Sequence, residues 1–456
     1  MKKNDFLELE ITCTDKNGSG IAHAPCGMAV FVKGACEGDK VLAKIIKVTK
    51  NYAVAIIDKI IQPSADRISD GCPVSSRCGG CVFQHISYDA ECKFKAQSIN
   101  SAFERIGKLD LRLTAFHAAS STTSYRNKAV YPIGKDKDGN IISGFYSRMS
   151  HRIIPHSKCF IGDDVFCKIK DTICEYAMEK SIPVYNEQTH TGILRSIYMR
   201  KADCDGSIIL TLILNSDSLV DTKIEFAFCA HILEKYPQIC SIVINVNKKA
   251  SNAVLGSKWR TLYGDGYLRD TLCSKKFRIS PASFYQVNHA QTEVLYEIAK
   301  KYANLKPEQT LLDLYCGTGT VGICIAEKDT CLFGVEIVPQ AAKDAQYNAT
   351  QNSLKANFLC LDAEHALDDT ALLQLSPDVI TIDPPRKGCG IEAARKIAAL
   401  NAKRIVYISC DPATLARDIA EFEKCGYKAI SAEGVDMFPR TGHVECCVLL
   451  CHTHNL

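Results

Sequence analysis

The chain changes its pattern of hydrophobic and polar residues along its length. Residues 7–62 contain short β-branched runs separated by glycines, which predicts four or five strands and therefore a small closed barrel. Residues 88–107 predict a helix, and residues 112–275 mix strand and helix patterns without a clean repeat. From residue 291 onward, short buried strands alternate with helices, as in a doubly wound α/β sheet. The predicted strands are 311–315, 331–335, 358–361, 379–382 and 404–409. The pattern therefore predicts a multidomain α/β protein.

Composition narrows the class of protein without identifying a function. The 456 residues are too many for one ordinary core, and 46% apolar with 23% charged residues is typical of globular chains. No apolar segment follows the basic N-terminus, and no apolar run approaches the ~20 residues that span a bilayer. We therefore expect a soluble, cytoplasmic, monomeric protein with no membrane partner. The 24 cysteines are then expected to be reduced.

One stretch, residues 121–160, combines cations with aromatic rings. The net charge of +4 is too small to indicate a nucleic-acid partner, so charge must be considered locally. The cations of the stretch are Arg126, Lys128, Lys135, Lys137, Arg148, Arg152 and Lys158, and the interleaved rings are Tyr125, Tyr131, Phe145 and Tyr146. Cations bind phosphates and rings stack on bases, which favours an RNA surface. A solvated basic face is the alternative.

A glycine-rich turn follows the first strand of the C-terminal sheet. Glycines at 317, 319 and 322 have the spacing of a dinucleotide fingerprint, and Glu336 ends the next strand, where a carboxylate would accept ribose hydroxyls. This arrangement fits NAD and S-adenosylmethionine alike. Asp313 favours S-adenosylmethionine, because a carboxylate could meet its ammonium group but would repel a pyrophosphate. The rigid turn at 383–386, Asp-Pro-Pro-Arg, favours a methyltransferase acting on bases.

Cys410 lies at the carboxyl end of a predicted central strand, next to a helix that begins at Pro412. Ligands bind at this edge of such sheets, and a helix N-terminus favours thiolate. A buried strand cysteine is the alternative. A thiolate that adds to carbon 6 of uracil would turn carbon 5 into a nucleophile, and a base must later remove the carbon 5 proton. Glu445 is the candidate base because desolvation would raise its proton affinity, and His443 competes with it.

Four motifs give these features a family resemblance. Asp-Pro-Pro-Arg at 383–386, the ten residues from Ser-Cys-Asp-Pro at 409–418, and Met-Phe-Pro-Arg-Thr-Gly-His-Val-Glu at 437–445 resemble the RNA 5-methyluridine methyltransferases of the TrmA/RumA type. Ser-Phe-Tyr-Gln-Val-Asn at 283–288 is similar to a further motif of that family. The resemblance spans nearly the whole chain.

The resemblance implies a role for each matching residue. Cys410 would be the nucleophile and Glu445 the proton acceptor. Phe284 would stack near the target base, and Thr320 occupies a position that contacts the cofactor. The cofactor or uracil contacts would be Gln286, Tyr315, Glu336, Asp362 and Asp383.

Three cysteines lie close together in the sequence, spaced C-x5-C-x2-C. They are Cys72, Cys78 and Cys81, and flanking chemistry makes Cys159 the best fourth ligand. Four thiolates can hold zinc or an iron–sulfur cluster, and a three-plus-one pattern favours [4Fe–4S] over zinc. Relatives of the RumA branch carry such a cluster, so the resemblance implies one here. The first gap is longer than in radical enzymes, so we expect a structural or RNA-positioning cluster.

Together these features predict three domains and one activity. The domains are a TRAM-like, OB-like barrel at 1–62, a mixed α+β RNA-binding domain with the cluster at 63–279, and a Rossmann-like class I methyltransferase domain at 280–456. The predicted activity is S-adenosylmethionine-dependent methylation of carbon 5 of a uridine, with 23S ribosomal RNA as the favoured substrate. The alternatives are a tRNA uracil-C5 methyltransferase, an RNA cytosine-C5 methyltransferase and an RNA-binding ribosome-assembly factor.

Overall fold

The structure is a computed structural model that describes residues 1–69 and 71–455. The chain forms two compact units. The first comprises Met1–Gln97, Tyr146–Ile154 and Phe438–His443, and the second comprises Ser98–Phe145, Pro155–Met437 and Val444–Leu456. The predicted boundaries after residues 62 and 279 remain predictions.

The N-terminal strands form one six-stranded sheet in the order β1-β5-β6-β4-β3-β2. They are β1 (Phe6–Glu10), β2 (Cys13–Thr14), β3 (Ser19–His23), β4 (Ala29–Lys33), β5 (Lys40–Val48) and β6 (Tyr52–Gln62). Alternate residues such as Val30, Val32, Val41 and Ala43 are fully buried in a common core. Strands β1 and β3 also approach each other, as strands of a barrel do.

The helix predicted over 88–107 is present but changes its winding. Helix α1 spans Tyr88–Ala102, and a π-helical turn, Phe103–Gly107, continues it. A Cβ on Gly107 would lie 2.8 Å from the backbone oxygen of Ala416, so the close approach of these two segments requires glycine. Lys108, with φ +53°, ends the helix.

The middle of the chain builds a seven-stranded sheet in the order β10-β9-β8-β11-β12-β13-β14. In chain order, the strands and helices between residues 115 and 263 are β7 (Ala115–His117), β8 (Lys128–Lys135), β9 (Ile141–Tyr146), β10 (Ile153–Pro155), α2 (Asp164–Glu179), β11 (Leu194–Lys201), β12 (Ile208–Leu214), α3 (Thr222–Lys235), β13 (Ile239–Val246) and β14 (Lys258–Tyr263). Strand β12 is buried at every position, as expected for a central strand. A separate hairpin follows, β15 (Leu268–Leu272) and β16 (Lys275–Ile279).

The C-terminal sheet has eight strands in the order β19-β18-β17-β20-β21-β23-β22-β7. Its elements are α4 (His289–Ala303), β17 (Thr310–Leu314), α5 (Thr320–Ile325), β18 (Cys331–Val335), α6 (Pro339–Gln351), β19 (Lys355–Leu359), α7 (Ala363–Ala366), α8 (Thr370–Leu373), β20 (Val379–Ile382), α9 (Ile391–Ala398), β21 (Arg404–Ser409), α10 (Pro412–Lys424), β22 (Tyr427–Val435) and β23 (Glu445–His452). Strands β17 to β21 are parallel, and β23 is antiparallel to both of its neighbours.

This sheet confirms the predicted doubly wound α/β class. Four of the five predicted strands lie within one residue of their predicted bounds, whereas β19 begins three residues before the predicted 358–361. The carboxyl ends of β17, β18, β20 and β21 point to one edge, where ligands bind in such folds. No helix of the described residues is both long and apolar enough to cross a lipid bilayer.

Candidate active site

The turn after β17 depends on close backbone approaches. Tyr315 and Gly319 have positive φ values of +61° and +78°. A Cβ on Gly322 would lie 2.7 Å from Oδ2 of Asp313, so only glycine lets the first turn of α5 pack against that carboxylate. Asp313 accepts hydrogen bonds from the Gly322 amide at 3.0 Å and the Thr381 hydroxyl at 2.7 Å, and it has no exposed surface. The expected contact of Asp313 with a cofactor ammonium group is therefore replaced by a structural role.

Glu336 lies directly after β18 and faces the glycine turn. Its Oε2 accepts a hydrogen bond from the Gly317 amide at 3.0 Å, and its Oε1 accepts one from the Val338 amide at 2.7 Å. These two bonds fix the carboxylate at the strand end, beside a turn whose backbone has no side chain at position 317. A fixed carboxylate here is suited to accepting hydrogen bonds from a pair of ribose hydroxyls.

Other predicted cofactor contacts lie near the same sheet edge. Tyr315 is half-buried, and the neighbouring groups that affect its pKa include the carboxylate of Asp362. Asp362 begins α7, where its side chain accepts a hydrogen bond from the Glu364 amide at 3.0 Å. Thr320 is nearly buried, and its hydroxyl lies 3.0 Å from that of Tyr296. Thr320 therefore has a partner within the protein.

Three acidic groups meet at the ends of β20, β21 and β23. Asp383 follows β20, Cys410 follows β21, and Glu445 begins β23. Ile382 pairs with Tyr407, and Ser409 pairs with Cys446, so the sheet register brings the three residues to one edge. Glu445 is 3% exposed, whereas the competing candidate base His443 is exposed.

The three acidic groups hold their protons tightly. Burial and the Glu445 and Asp383 carboxylates raise the pKa of the Cys410 thiol from 9.0 to about 12. Burial and the neighbouring Asp313 carboxylate raise the pKa of Asp383 to about 7. Burial, together with Asp383, also raises the pKa of Glu445 well above its usual value, in the direction expected from the sequence.

This electrostatic environment corrects one expectation about Cys410. The helix N-terminus at Pro412 was expected to favour the thiolate, but burial and two neighbouring carboxylates favour the thiol. Arg386 opposes them, since its positive charge lowers the pKa of both Cys410 and Glu445. Arg386 stands in the Asp-Pro-Pro-Arg motif, but its electrostatic role depends on the folded arrangement and had no signal in the sequence.

A second residue without a predicted role, Asp418, fixes the loop that carries Arg386. Its Oδ2 accepts hydrogen bonds from the Tyr407 hydroxyl at 2.6 Å and the Cys389 amide at 3.0 Å, and the carboxylate is fully buried. Gly388 has φ +76°, and a Cβ there would lie 2.3 Å from the same oxygen. Asp418 thus ties the loop after β20 to strand β21 and helix α10, which flank Cys410.

The segment 283–288 precedes α4 and is held through its backbone. Arg200 of β11, only 1% exposed, donates to the carbonyls of Ser283 at 3.2 Å and Tyr285 at 3.3 Å. Between these anchored residues, the ring of Phe284 is 63% exposed, which suits base stacking. Gln286 is 5% exposed, so neighbours in this segment face opposite environments.

The basic stretch 121–160 is only partly a surface. Tyr131 is fully buried in the core of the seven-stranded sheet, and Phe145 stacks on it with ring centroids 4.9 Å apart. The expectation that these two rings stack on bases is therefore wrong for Tyr131, because alternation in β8 turns it inward.

The four predicted cluster ligands are cysteines from two parts of the chain. Cys72, Cys78 and Cys81 lie on the loop between β6 and α1, Cys159 belongs to the second unit, and all four are half-buried. Burial and the neighbouring Cys72 raise the pKa of Cys78. Across residues 1–69 and 71–455, however, no three His, Cys, Asp or Glu side chains are grouped so as to hold a metal ion. The [4Fe–4S] cluster therefore stays a prediction.

The doubly wound sheet, the glycine turn and the strand-end residues define a methyltransferase fold. The crystal structure of Pyrococcus abyssi tRNA (uracil-54, C5)-methyltransferase in complex with S-adenosyl-L-homocysteine has a similar fold. The TM-score is 0.77 at 23% identity, covering 97% of this chain and 99% of that one. A profile for tRNA (Uracil-5-)-methyltransferase matches residues 257–453, and one for the TRAM domain matches residues 2–57.

Sequence relatives match the chain along nearly its whole length. An uncharacterized RNA methyltransferase of Halalkalibacterium halodurans is 38% identical over 452 residues, covering 99% of this chain and 98% of the relative. Another, from Clostridium acetobutylicum, is 39% identical over 454 residues with the same coverage of both chains. The chain belongs to the RNA uracil-5 methyltransferase family, as the motifs predict.

Proposed function

We propose that this enzyme transfers a methyl group from S-adenosylmethionine to carbon 5 of a uridine in 23S ribosomal RNA. The observation that carries the proposal is the meeting of Cys410, Asp383 and Glu445 at the ends of adjacent strands. A thiol next to proton-accepting carboxyl groups is what a covalent adduct mechanism at a pyrimidine ring needs.

The side chains at the glycine turn fit S-adenosylmethionine. Glu336, fixed by two backbone amides, would bind the ribose hydroxyls. Tyr315 and Asp362 would contact the rest of the nucleoside, and Gln286 and Asp383 would contact the cofactor or the uracil. When bound, the cofactor supplies an electrophilic methyl group attached to sulfur.

Cys410 begins the reaction by transferring its thiol proton to a neighbouring carboxylate and adding its sulfur to carbon 6 of the ring. The new S–C bond moves the electron pair of the 5,6 double bond to carbon 5. Carbon 5 would then take the methyl group as the bond between that methyl and the cofactor sulfur breaks, with its electron pair staying on the sulfur. Glu445 accepts the proton that carbon 5 still carries, the double bond re-forms and the sulfur leaves. A desolvated carboxylate is a strong proton acceptor, and burial gives Glu445 that property.

The test is to detect the product in RNA that lacks it. Total RNA from a strain without the gene is incubated with the enzyme and methyl-labelled S-adenosylmethionine, and ribosomal and transfer RNA are separated before nucleoside mass spectrometry. We expect labelled 5-methyluridine in 23S RNA and none with Cys410→Ala. Label confined to transfer RNA would reassign the substrate, and labelled 5-methylcytidine without 5-methyluridine would contradict the proposed reaction.

We also propose a [4Fe–4S] cluster on Cys72, Cys78, Cys81 and Cys159. The proposal is supported by the cysteine spacing and by the resemblance to relatives that carry a cluster. Cluster sites are commonly completed only when the metal binds, because metal binding is coupled to local folding. Iron and sulfide analysis of anaerobically purified protein tests it, with Cys78→Ser as the comparison. Absence of iron from the wild-type protein would contradict it.

A further inference from the structure

Two cations share one face of the seven-stranded sheet at the end where β8 begins, and a third precedes that strand. Lys128 and Arg200 are direct partners across the antiparallel strands β8 and β11. Arg126 precedes Lys128 by two residues, and its Nε donates to the Lys128 carbonyl at 3.2 Å. Like charges placed directly opposite each other destabilise a sheet. The pairing of Lys128 with Arg200 is therefore unfavourable for the sheet by itself.

Among the residues that the structure describes, no carboxylate forms an ion pair with these cations. Arg200 uses its guanidinium on the Tyr198 hydroxyl and on the carbonyls of Ser283 and Tyr285. The Lys128 ammonium lies 5.9 Å from the centre of the Tyr198 ring. No residue within the described ranges accepts a hydrogen bond from that ammonium.

The surroundings of Lys128 disfavour the charged form of its side chain. Burial, followed by the charges of Arg200 and Arg126, lowers the pKa of its ammonium from 10.5 to about 8. The causes of that shift include no carboxylate. Lys128 is half-buried, and a partly desolvated cation without a neutralising partner is costly to a folded protein. Such a cation persists where a bound anion supplies the missing charge.

The same strand end is attached to the segment that carries Phe284. The Asn127 amide donates to the Val287 carbonyl at 2.9 Å, and its Nδ2 donates to the Gln286 carbonyl at 3.1 Å. Arg126 also forms a backbone bridge with Asn288. These contacts place Arg126 and Lys128 beside the segment that carries the exposed Phe284 ring. In a nucleotide, one sugar separates the base from its phosphate.

We propose that Lys128 and Arg126 bind a backbone phosphate of the RNA substrate, next to the nucleotide whose base stacks on Phe284. Arg200, which is 1% exposed, is a positioning residue that holds the 283–288 segment and adds to the positive potential. The inference rests on the proposed function in one respect, the identity of the anion as RNA. A phosphate neutralises the unmatched charge and fixes the register of the strand without reading its sequence.

The test compares Lys128→Gln with Lys135→Gln. Lys135 ends the same strand and is exposed, so its substitution removes an equal charge at a distance from the cluster. Binding of fluorescein-labelled oligouridylate is measured by anisotropy between about 50 and 200 mM salt, together with the melting temperature of each protein. We expect Lys128→Gln to weaken binding about tenfold and to reduce the salt slope by about 0.7, the value for one phosphate of a single strand.

Stability separates a binding role from a structural one. Because Lys128→Gln removes a like-charge pair, we expect its melting temperature to equal or exceed that of the wild type. A fall in melting temperature together with affinity would overturn the proposal, as would equal loss of binding in Lys135→Gln. An unchanged salt slope, or failure of the wild type to bind, would overturn it as well. If the slope changes as expected but no RNA acquires 5-methyluridine, the phosphate site stands and the proposed methylation fails.

Discussion

Slow alkylation of Cys410 is a quantitative consequence of its surroundings. A pKa of about 12 instead of 9.0 lowers the thiolate fraction at about pH 8 by roughly 10³-fold. A thiolate of higher pKa is intrinsically more nucleophilic, with a Brønsted coefficient of about 0.4–0.5, which recovers roughly 15- to 30-fold. Cys410 should therefore react with iodoacetamide roughly 30- to 60-fold more slowly than an ordinary thiol.

The assay follows modification of individual peptides by mass spectrometry, with the exposed Cys13 as an internal reference. Glu445→Gln removes a carboxylate that raises the Cys410 pKa, so alkylation of Cys410 should accelerate while that of Cys13 stays constant. Alkylation of Cys410 as fast as that of Cys13 in the wild type, or no acceleration in Glu445→Gln, would refute the electrostatic reasoning.

Four further substitutions have defined outcomes. The pKa of Asp383 rises from 3.8 to about 7 on folding, so the protein loses at most ~4 kcal/mol of stability as the pH increases from about 4 to about 7. Asp383→Asn should therefore melt higher than the wild type at about pH 8 but not at about pH 4. Asp418→Asn should lower the free energy of unfolding in urea by about 1–3 kcal/mol, because buried donors lose their acceptor. Gly388→Ala should slow methylation, since both its φ and the nearby carboxylate oppose a Cβ; a wild-type rate would contradict this. Phe284→Ala should weaken oligouridylate binding by about 1–3 kcal/mol, measured by anisotropy, without altering the melting temperature.

The fold class follows from the sequence because periodicity is a local property. The short apolar runs that predict buried strands at Val379–Ile382 and Arg404–Ser409 form strands with the same bounds in the structure. Pairing between distant segments has no such local signal. Strand β7, Ala115–His117, joins the edge of the C-terminal sheet beside β22, and no pattern near residue 115 indicates that partner.

The positions of the site residues were more predictable from the sequence than the pKa values of their side chains. Motif spacing places Asp383, Cys410 and Glu445 at strand ends, and the register brings them together. The thiol pKa depends instead on burial and on carboxylates from other strands, which a helix N-terminus in the sequence does not reveal. Asp313 likewise has the sequence position of a cofactor contact, but its carboxylate accepts hydrogen bonds from Gly322 and Thr381 instead.

The central claim is that the sulfur of Cys410 bonds to carbon 6 of the target uracil. RNA containing 5-fluorouridine tests it most directly, because fluorine at carbon 5 replaces the proton that Glu445 must remove, so the adduct cannot resolve. With S-adenosylmethionine present, we predict a stable protein–RNA conjugate whose peptide map places the link at Cys410 and which Cys410→Ala does not form. Full methylation of ordinary RNA with no conjugate, or with a link at another residue, would contradict the account.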